Sequence, residues 1–96
     1  YAAGDPTMVE EVLAIFREQA DLWRAMLDPA SPGWGDALHT LKGASRGIGA
    51  FSLGDACERA EEVGPGALPE VHTALDLVLF DIAAYQHEQA LRSLKG

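Results

Sequence analysis

The sequence predicts an all-α protein with the architecture of an antiparallel four-helix bundle. Apolar residues recur at helical spacing in four segments, and no segment shows the strict alternation that is typical of a half-buried strand. Short stretches rich in proline and glycine separate the segments, which favours antiparallel neighbours. The 96 residues are enough for one core. We therefore expect a single domain over residues 1–96 in which four helices share that core.

The first helix is expected near residues 6–27. Asp5 can cap its free amide groups, and Pro6 suits the first helical position. The apolar arc of this helix is about 180° wide, which is broader than contact with one neighbour requires. We expect part of the arc to stay exposed, with Ile15 and Leu22 as its members.

The other three helices are expected at about residues 34–50, 53–63 and 68–94. Ser52 is predicted to cap the third helix, because a serine that precedes an apolar run can accept a hydrogen bond from a free amide. The third helix should bury its apolar residues, including its last one, Val63.

Charge and composition exclude several classes of function. The net charge of −8 argues against nucleic-acid binding, which requires clustered Lys and Arg. No run approaches the roughly 18 apolar residues of a membrane span. The one cysteine, Cys57, excludes an internal disulfide and is interpreted as a small core residue, so we expect a reducing, cytoplasmic location.

The predicted second helix carries a histidine on its exposed side. His39 lies almost opposite Leu41, while Lys42, Gly43 and Arg46 lie within about 60° of it on the helix surface. The imidazole therefore stands beside two cations and a position without a side chain. This pattern is typical of a site that accepts an anion.

The motif around this histidine resembles that of the histidine-containing phosphotransfer domain family. The family motif is a histidine, a hydrophobic residue two positions later, Lys-Gly, a small residue and a later glycine. The corresponding residues here are His39, Leu41, Lys42-Gly43, Ala44 and Gly49. The resemblance implies that His39 accepts a phosphoryl group from the aspartyl phosphate of a receiver domain and passes it to another receiver.

In such a phosphoryl transfer, the residues near His39 are expected to contact the phosphoryl group or the receiver. Lys42 and Arg46 lie where they can meet the phosphoryl oxygens, and a glycine at position 43 leaves room for the group. Ile15 and Leu22 are expected to join the His39 surface and form the receiver-docking face, because an exposed apolar patch usually marks an interaction site.

The resemblance also implies the partners. They are response-regulator receiver domains and a sensor or hybrid histidine kinase, and the chain should be monomeric like the family members it resembles. The receiver supplies the aspartate and the Mg²⁺, so we expect a phosphocarrier that is not an enzyme and needs no cofactor of its own. No carboxylate, metal ligand set or general base in the chain is expected to be positioned to catalyse the transfer, and Glu61 is predicted to face solvent.

Two alternatives belong to other classes of function. Asp36 and His39 have the i, i+3 spacing of carboxylate-bundle metal sites, but such sites need two pairs that project inward, and His39 projects outward. We therefore expect no metal site. A helical adaptor that binds a partner without phosphotransfer is the other alternative, and it predicts binding that survives removal of the imidazole. His72 and His87 are interpreted as solvated residues without a role.

Overall fold

The computed structural model, which describes residues 6–95 and the side chains of residues 7–94, contains four α-helices. They are α1 (Pro6–Met26), α2 (Trp34–Gly47), α3 (Phe51–Val63) and α4 (Leu68–Lys95), with a 3₁₀ turn at Pro65–Ala67 before α4. Residues 6–95 contain no strand. The predicted fold class is confirmed.

Each helix has two neighbours, which fixes the arrangement of the bundle. Both α1 and α3 pack on α2 and on α4, so α2 lies diagonally opposite α4. Arg24 of α1 pairs with Asp76 of α4 at 2.5 Å, and Arg17 of α1 hydrogen-bonds Gln86 of α4. The residue numbers rise on one helix as they fall on the other, which shows that α1 and α4 are antiparallel.

The core lies between the inward stripes of the four helices. Phe16 and Trp23 of α1 pack edge to face with ring centroids 5.2 Å apart. Full burial of a leucine contributes about 1.5–3 kcal/mol relative to exposure, so the buried leucines of this core dominate its stability. The largest fully buried side chains are Leu27, Leu38, Leu41, Leu53, Leu68, Val71 and Leu75.

The second helix ends at Gly47, three residues before the predicted boundary. Gly49 has φ +82°, a left-handed conformation that favours glycine. Its amide donates to the carbonyl of Arg46, and the amide of Ala50 donates to the carbonyl of Ser45. These two bonds form a Schellman motif that closes the end of α2.

The third helix begins at Phe51, two residues earlier than predicted. The prediction that Ser52 caps it is wrong, because Ala50 occupies the N-cap position and no side chain bonds there. The Schellman turn reverses the chain so tightly that helical geometry resumes at once.

The end of α3 also differs from the prediction. Val63 was expected to be buried, but it is 63 % exposed. The chain turns at Gly64, where φ is +104°, and Ala67 and Leu68 fill the core at this level.

The exposed edge of α1 agrees with the prediction, since Ile15 and Leu22 are 58 % and 56 % exposed. The predicted cap at Asp5 lies outside the described residues. None of the helices in residues 6–95 is both long enough and apolar enough to cross a membrane.

His72 was predicted to be solvated, and that prediction is wrong. It is half-buried, and its Nε2 donates a hydrogen bond of 2.7 Å to the carbonyl of Leu27, just beyond the end of α1. Carbonyls at a helix C-terminus lack intrahelical partners, so this bond satisfies one of them. His87 is exposed, as predicted.

Candidate functional site

His39 lies on the solvent side of α2. Its side chain is 73 % exposed. Leu38 and Leu41, which flank it along the chain, are completely buried and fix the rotation of the helix. The core of the bundle therefore determines that the imidazole points outward.

A carboxylate on the neighbouring helix contacts this imidazole. Glu61 of α3 places Oε2 3.3 Å from Nδ1 of His39, and its Oε1 lies 2.5 Å from Nζ of Lys42. One carboxylate thus contacts two residues of the predicted site, His39 and Lys42. Glu61 is exposed, as predicted, but its contact with His39 was not anticipated from the sequence.

The charges at the site determine the hydrogen-bond roles. The hydrogen bond from Lys42 lowers the pKa of Glu61 below its ordinary value of 4.5, and the bond with His39 acts in the same direction, while partial burial opposes both. The carboxylate is therefore ionised at neutral pH and can only accept hydrogen bonds. A neutral His39 must then carry its proton on Nδ1, which leaves Nε2 with a free lone pair.

Lys42 is held against α3. Its side chain is only 20 % exposed, and its ammonium group is paired with Glu61. The carboxylate occupies the position beside the imidazole where another anion would meet this ammonium group.

Arg46 is also directed toward α3. Its Nη2 lies 3.2 Å from Oε2 of Glu58 and 3.7 Å from Oδ1 of Asp55. It stands seven residues beyond His39, about 10 Å along the helix axis. The structure therefore brings Lys42, but not Arg46, into the group around the imidazole.

Two glycines have opposite surroundings in this region. A Cβ added at Gly43 would meet nothing within 4 Å, so the space beside His39 is open. A Cβ added at Gly54 of α3 would lie 2.9 Å from Cγ of Arg46. The absence of a side chain at Gly54 thus lets the Arg46 side chain cross α3 and reach Glu58.

A signal in the sequence could have identified Glu61. His39 lies ten residues before Gly49 and Glu61 twelve residues after it. In a tight hairpin of two antiparallel helices, residues at similar distances from the turn lie at the same level. The helical pattern of α3 alone predicted that Glu61 faces solvent. It could not show that Glu61 lies on the edge of this exposed face that is next to α2.

The predicted docking residues lie on the α1 side of the site. Ile15 lines a groove of about 330 Å³ between α1 and α2, with Ala44 and Gly47 on the opposite wall. Leu22 is exposed but does not line this groove.

Metal-binding side chains do not cluster in the described part of the chain. No three His, Cys, Asp or Glu residues among positions 6–95 lie close enough together to hold an ion. Cys57 is completely buried in the core, and burial raises the pKa of its thiol to about 11. It is therefore protonated at neutral pH.

Comparisons with known proteins identify the family of this chain. The family model of the Hpt domain matches residues 8–94. The crystal structure of histidine phosphotransferase ShpA from Caulobacter crescentus is similar, with 67 % sequence identity and a TM-score of 0.89 over 97 % of this chain and 88 % of that chain. A comparison with curated proteins gives no significant match. The chain belongs to the Hpt domain family and is a phosphorelay carrier of two-component signalling.

Proposed function

We propose that His39 accepts a phosphoryl group on Nε2 from the aspartyl phosphate of a receiver domain and passes it to the aspartate of another receiver. The observation that carries this proposal is the exposed imidazole whose Nδ1 faces the ionised Glu61. An imidazole held this way presents its nucleophilic nitrogen to solvent and to an approaching partner.

The transfer is a displacement at phosphorus. The lone pair of Nε2 forms the N–P bond in line with the breaking P–O bond, and the receiver's aspartate leaves as a carboxylate with the electron pair of that bond. The ring gains positive charge as the bond forms, and Glu61 beside Nδ1–H stabilises that charge. Onward transfer is the reverse step with a second receiver. In this proposal the receiver contributes both the aspartate and the Mg²⁺.

Lys42 then has two possible anionic partners. A phosphoryl group on His39 carries about −1.5 to −2 charges at neutral pH. Lys42 follows His39 by three residues on the same helix face, so its ammonium group can move from Glu61 toward the phosphoryl oxygens. Arg46 can assist only after it leaves Glu58 and Asp55.

The receiver in this proposal docks across α1 and α2. The groove beside Ile15 is apolar, and it adjoins the helix that carries His39. Leu22 extends the same exposed edge of α1 by two turns. Docking there brings the receiver's aspartate toward the open space above Gly43.

The direct test uses His39→Gln with His87→Gln as the control, since His87 is also exposed on a helix. Each full chain is incubated with a phosphorylated receiver, and the label is followed through acid and base treatment. We expect the wild-type chain and the His87 variant to gain an acid-labile, base-stable label, and the His39 variant to gain none. A label of that kind on His39→Gln would refute the proposal. The helical adaptor alternative predicts that His39→Gln still binds the receiver and that the wild-type chain gains no label either.

The sensor or hybrid kinase upstream, the monomeric state and the cytoplasmic location remain predictions that accompany this proposal. Sedimentation of the purified chain measures its oligomeric state directly.

A further inference from the structure

The outer face of α4 carries an apolar stripe that the fold does not bury. Leu77, Phe80, Leu91 and Leu94 are 63 %, 73 %, 47 % and 84 % exposed, and Ala84 is exposed as well. Together with His87 they follow a spacing of 3, 4, 3, 4 and 3 residues. We call these six residues the α4 seam: Leu77, Phe80, Ala84, His87, Leu91 and Leu94.

The α4 seam is separate from the core and from the phosphoryl-transfer site. The buried residues of α4, such as Leu75 and Ile82, lie on the opposite side of the helix. The seam also faces away from His39, because α4 lies diagonally across the bundle from α2. Neither folding nor the proposed transfer accounts for it.

Alternating steps of three and four residues are the pattern by which one helix packs along another. The six positions stay within about 100° of arc and extend for about 26 Å along α4. An exposed stripe that is apolar at five of its six positions usually marks an interaction site. Its shape fits a single helix that lies lengthwise on α4.

The charged residues beside the seam indicate which kind of partner helix can bind there. Asp81 and Glu88 flank it on one side, and Asp76 lies at its beginning on the other. Glu88 is paired with Arg92, and Asp76 is paired with Arg24. Asp81 forms no ion pair with any side chain of residues 7–94. A second copy in antiparallel pairing would place Asp81 opposite Glu88 at two points, and parallel pairing would place Asp76 opposite Asp81. The net charge of −8 on each copy adds to that repulsion.

A cavity of about 460 Å³ between α4 and the start of α3 adjoins the seam at Leu77, with Phe51, Val78 and Asp81 also in its wall. Asp81 therefore lies beside the first residue of the seam, where a cation of a docked helix can meet its carboxylate.

We propose that the α4 seam docks one amphipathic helix of a partner protein, and that this helix carries Lys or Arg beside its apolar stripe. The contact between the two apolar stripes supplies affinity, and Asp81, which is unpaired among the described residues, selects together with the net charge of −8 for basic residues on the partner. Because the seam lies across the bundle from His39, this partner stays bound while a receiver engages the histidine. The inference goes beyond the phosphotransfer role and does not depend on it.

The test uses a synthetic helical peptide of about 25 residues, long enough to be helical in isolation, with leucine at the seam-facing positions and lysine beside them. Two further peptides are a version with glutamate in place of lysine and a version of the lysine peptide with its residues in shuffled order. Each is titrated into the full chain, and backbone amide NMR shifts locate the contact. We expect the lysine peptide to perturb α4 from Leu77 to Leu94, and the other two to bind at least about tenfold more weakly.

Variants of the chain distinguish the seam from general attraction between a basic peptide and an acidic protein. Leu77→Ser combined with Phe80→Ser should weaken binding at least about tenfold. Val63→Ser should not, although Val63 is 63 % exposed, as Leu77 is. Asp81→Asn should weaken binding of the lysine peptide only.

Three results would overturn the proposal. They are equal binding of the shuffled peptide, amide shifts centred away from α4, and binding that survives the double variant. A dimer in sedimentation equilibrium that dissociates in Phe80→Ser would assign the seam to a second copy and would overturn the basic-helix proposal as well. None of these readouts involves phosphate, so they remain informative if the phosphotransfer proposal fails.

Discussion

Replacing Glu61 with glutamine tests the proposal that this carboxylate determines which nitrogen of His39 reacts. The substitution keeps the size of the side chain and removes its charge. Glu61 accepts from Nδ1 of His39 and from Lys42 in the native chain, so the change removes one charged acceptor from two donors. We expect the population of Nδ1-protonated tautomer of His39 to fall and the phosphorylated form to become more stable.

Solvent exposure of His39 limits the size of both expected effects. His39 is 73 % exposed and its contact with Glu61 is 3.3 Å long, so the bond contributes at most about 1 kcal/mol, or about a fivefold change in the tautomer ratio. A phosphoryl group at roughly 6 Å from the carboxylate is repelled by about 0.5–1 kcal/mol after screening by physiological salt. Removing that repulsion should shift the equilibrium with a receiver toward phosphorylated His39 by about two- to fivefold.

The tautomer is measured by ¹H–¹⁵N NMR of the imidazole at about pH 8.5, two units above the ordinary pKa of histidine. The equilibrium is measured by mixing chain and receiver and quantifying the label on each. Glu58→Gln is the matched control, because Glu58 is an exposed glutamate on α3 that pairs with Arg46 instead. An unchanged tautomer ratio in Glu61→Gln, or a shift of phosphate toward the receiver, would refute the reasoning.

The same pair predicts a small dependence of stability on pH. The pKa of Glu61 is lower in the folded chain than its ordinary value of 4.5, chiefly because Lys42 bonds to it. Its contribution to stability is therefore complete above that ordinary value and is lost as the pH falls through the lowered folded-state pKa. Since both groups are partly exposed, we expect less than about 1 kcal/mol, and Glu61→Gln should remove this part of the acid dependence.

Three further substitutions test the surroundings of the site. Gly43→Leu should raise the melting temperature by several degrees, because about 1 kcal/mol of helix propensity corresponds to roughly 4–8 °C in a chain of this size. The same change should slow phosphoryl transfer at least about tenfold. A lower melting temperature with normal transfer would contradict the open space found beside Gly43. Gly54→Ala should not raise the melting temperature, because its Cβ would lie 2.9 Å from Cγ of Arg46. If Gly54→Ala raised the melting temperature as much as Gly43→Ala does, the Arg46 side chain would have to move at no cost in free energy. Ile15→Glu should weaken receiver binding without unfolding the bundle. Val63→Glu, which changes a similarly exposed residue of α3, should leave receiver binding unchanged. Equal affinity of the two variants in a calorimetric titration would show that Ile15 is not part of the docking face.

Most of the fold could be predicted from local patterns, and the errors have a common cause. Helical spacing identified all four helices, because a buried stripe is a property of one segment. The ends of α2 and α3 were missed because they depend on the backbone of Gly49, whose left-handed conformation ends one helix and lets the next begin at Phe51. Ser52 had the right chemistry for a cap, but the turn left it inside the helix.

The site was predictable as far as it belongs to one helix. His39, Lys42 and Gly43 share the surface of α2, so their spacing alone places them together. Glu61 lies on another helix, and its contact with His39 depends on the register between α2 and α3. The docking of His72 on the end of α1 was missed for the same reason.

Glu61 also bears on how a carrier can hold a phosphoryl group without trapping it. Without Glu61, Lys42 would be a free cation beside the imidazole and would stabilise the phosphorylated state. In the native chain Lys42 already has an anionic partner at 2.5 Å, so a phosphoryl group gains the ammonium group only by displacing a carboxylate of similar charge. Each of these partly exposed interactions contributes about 1 kcal/mol or less, and they oppose one another. In the proposed transfer, the exchange therefore leaves little net preference, so that a group accepted from one receiver can leave for another.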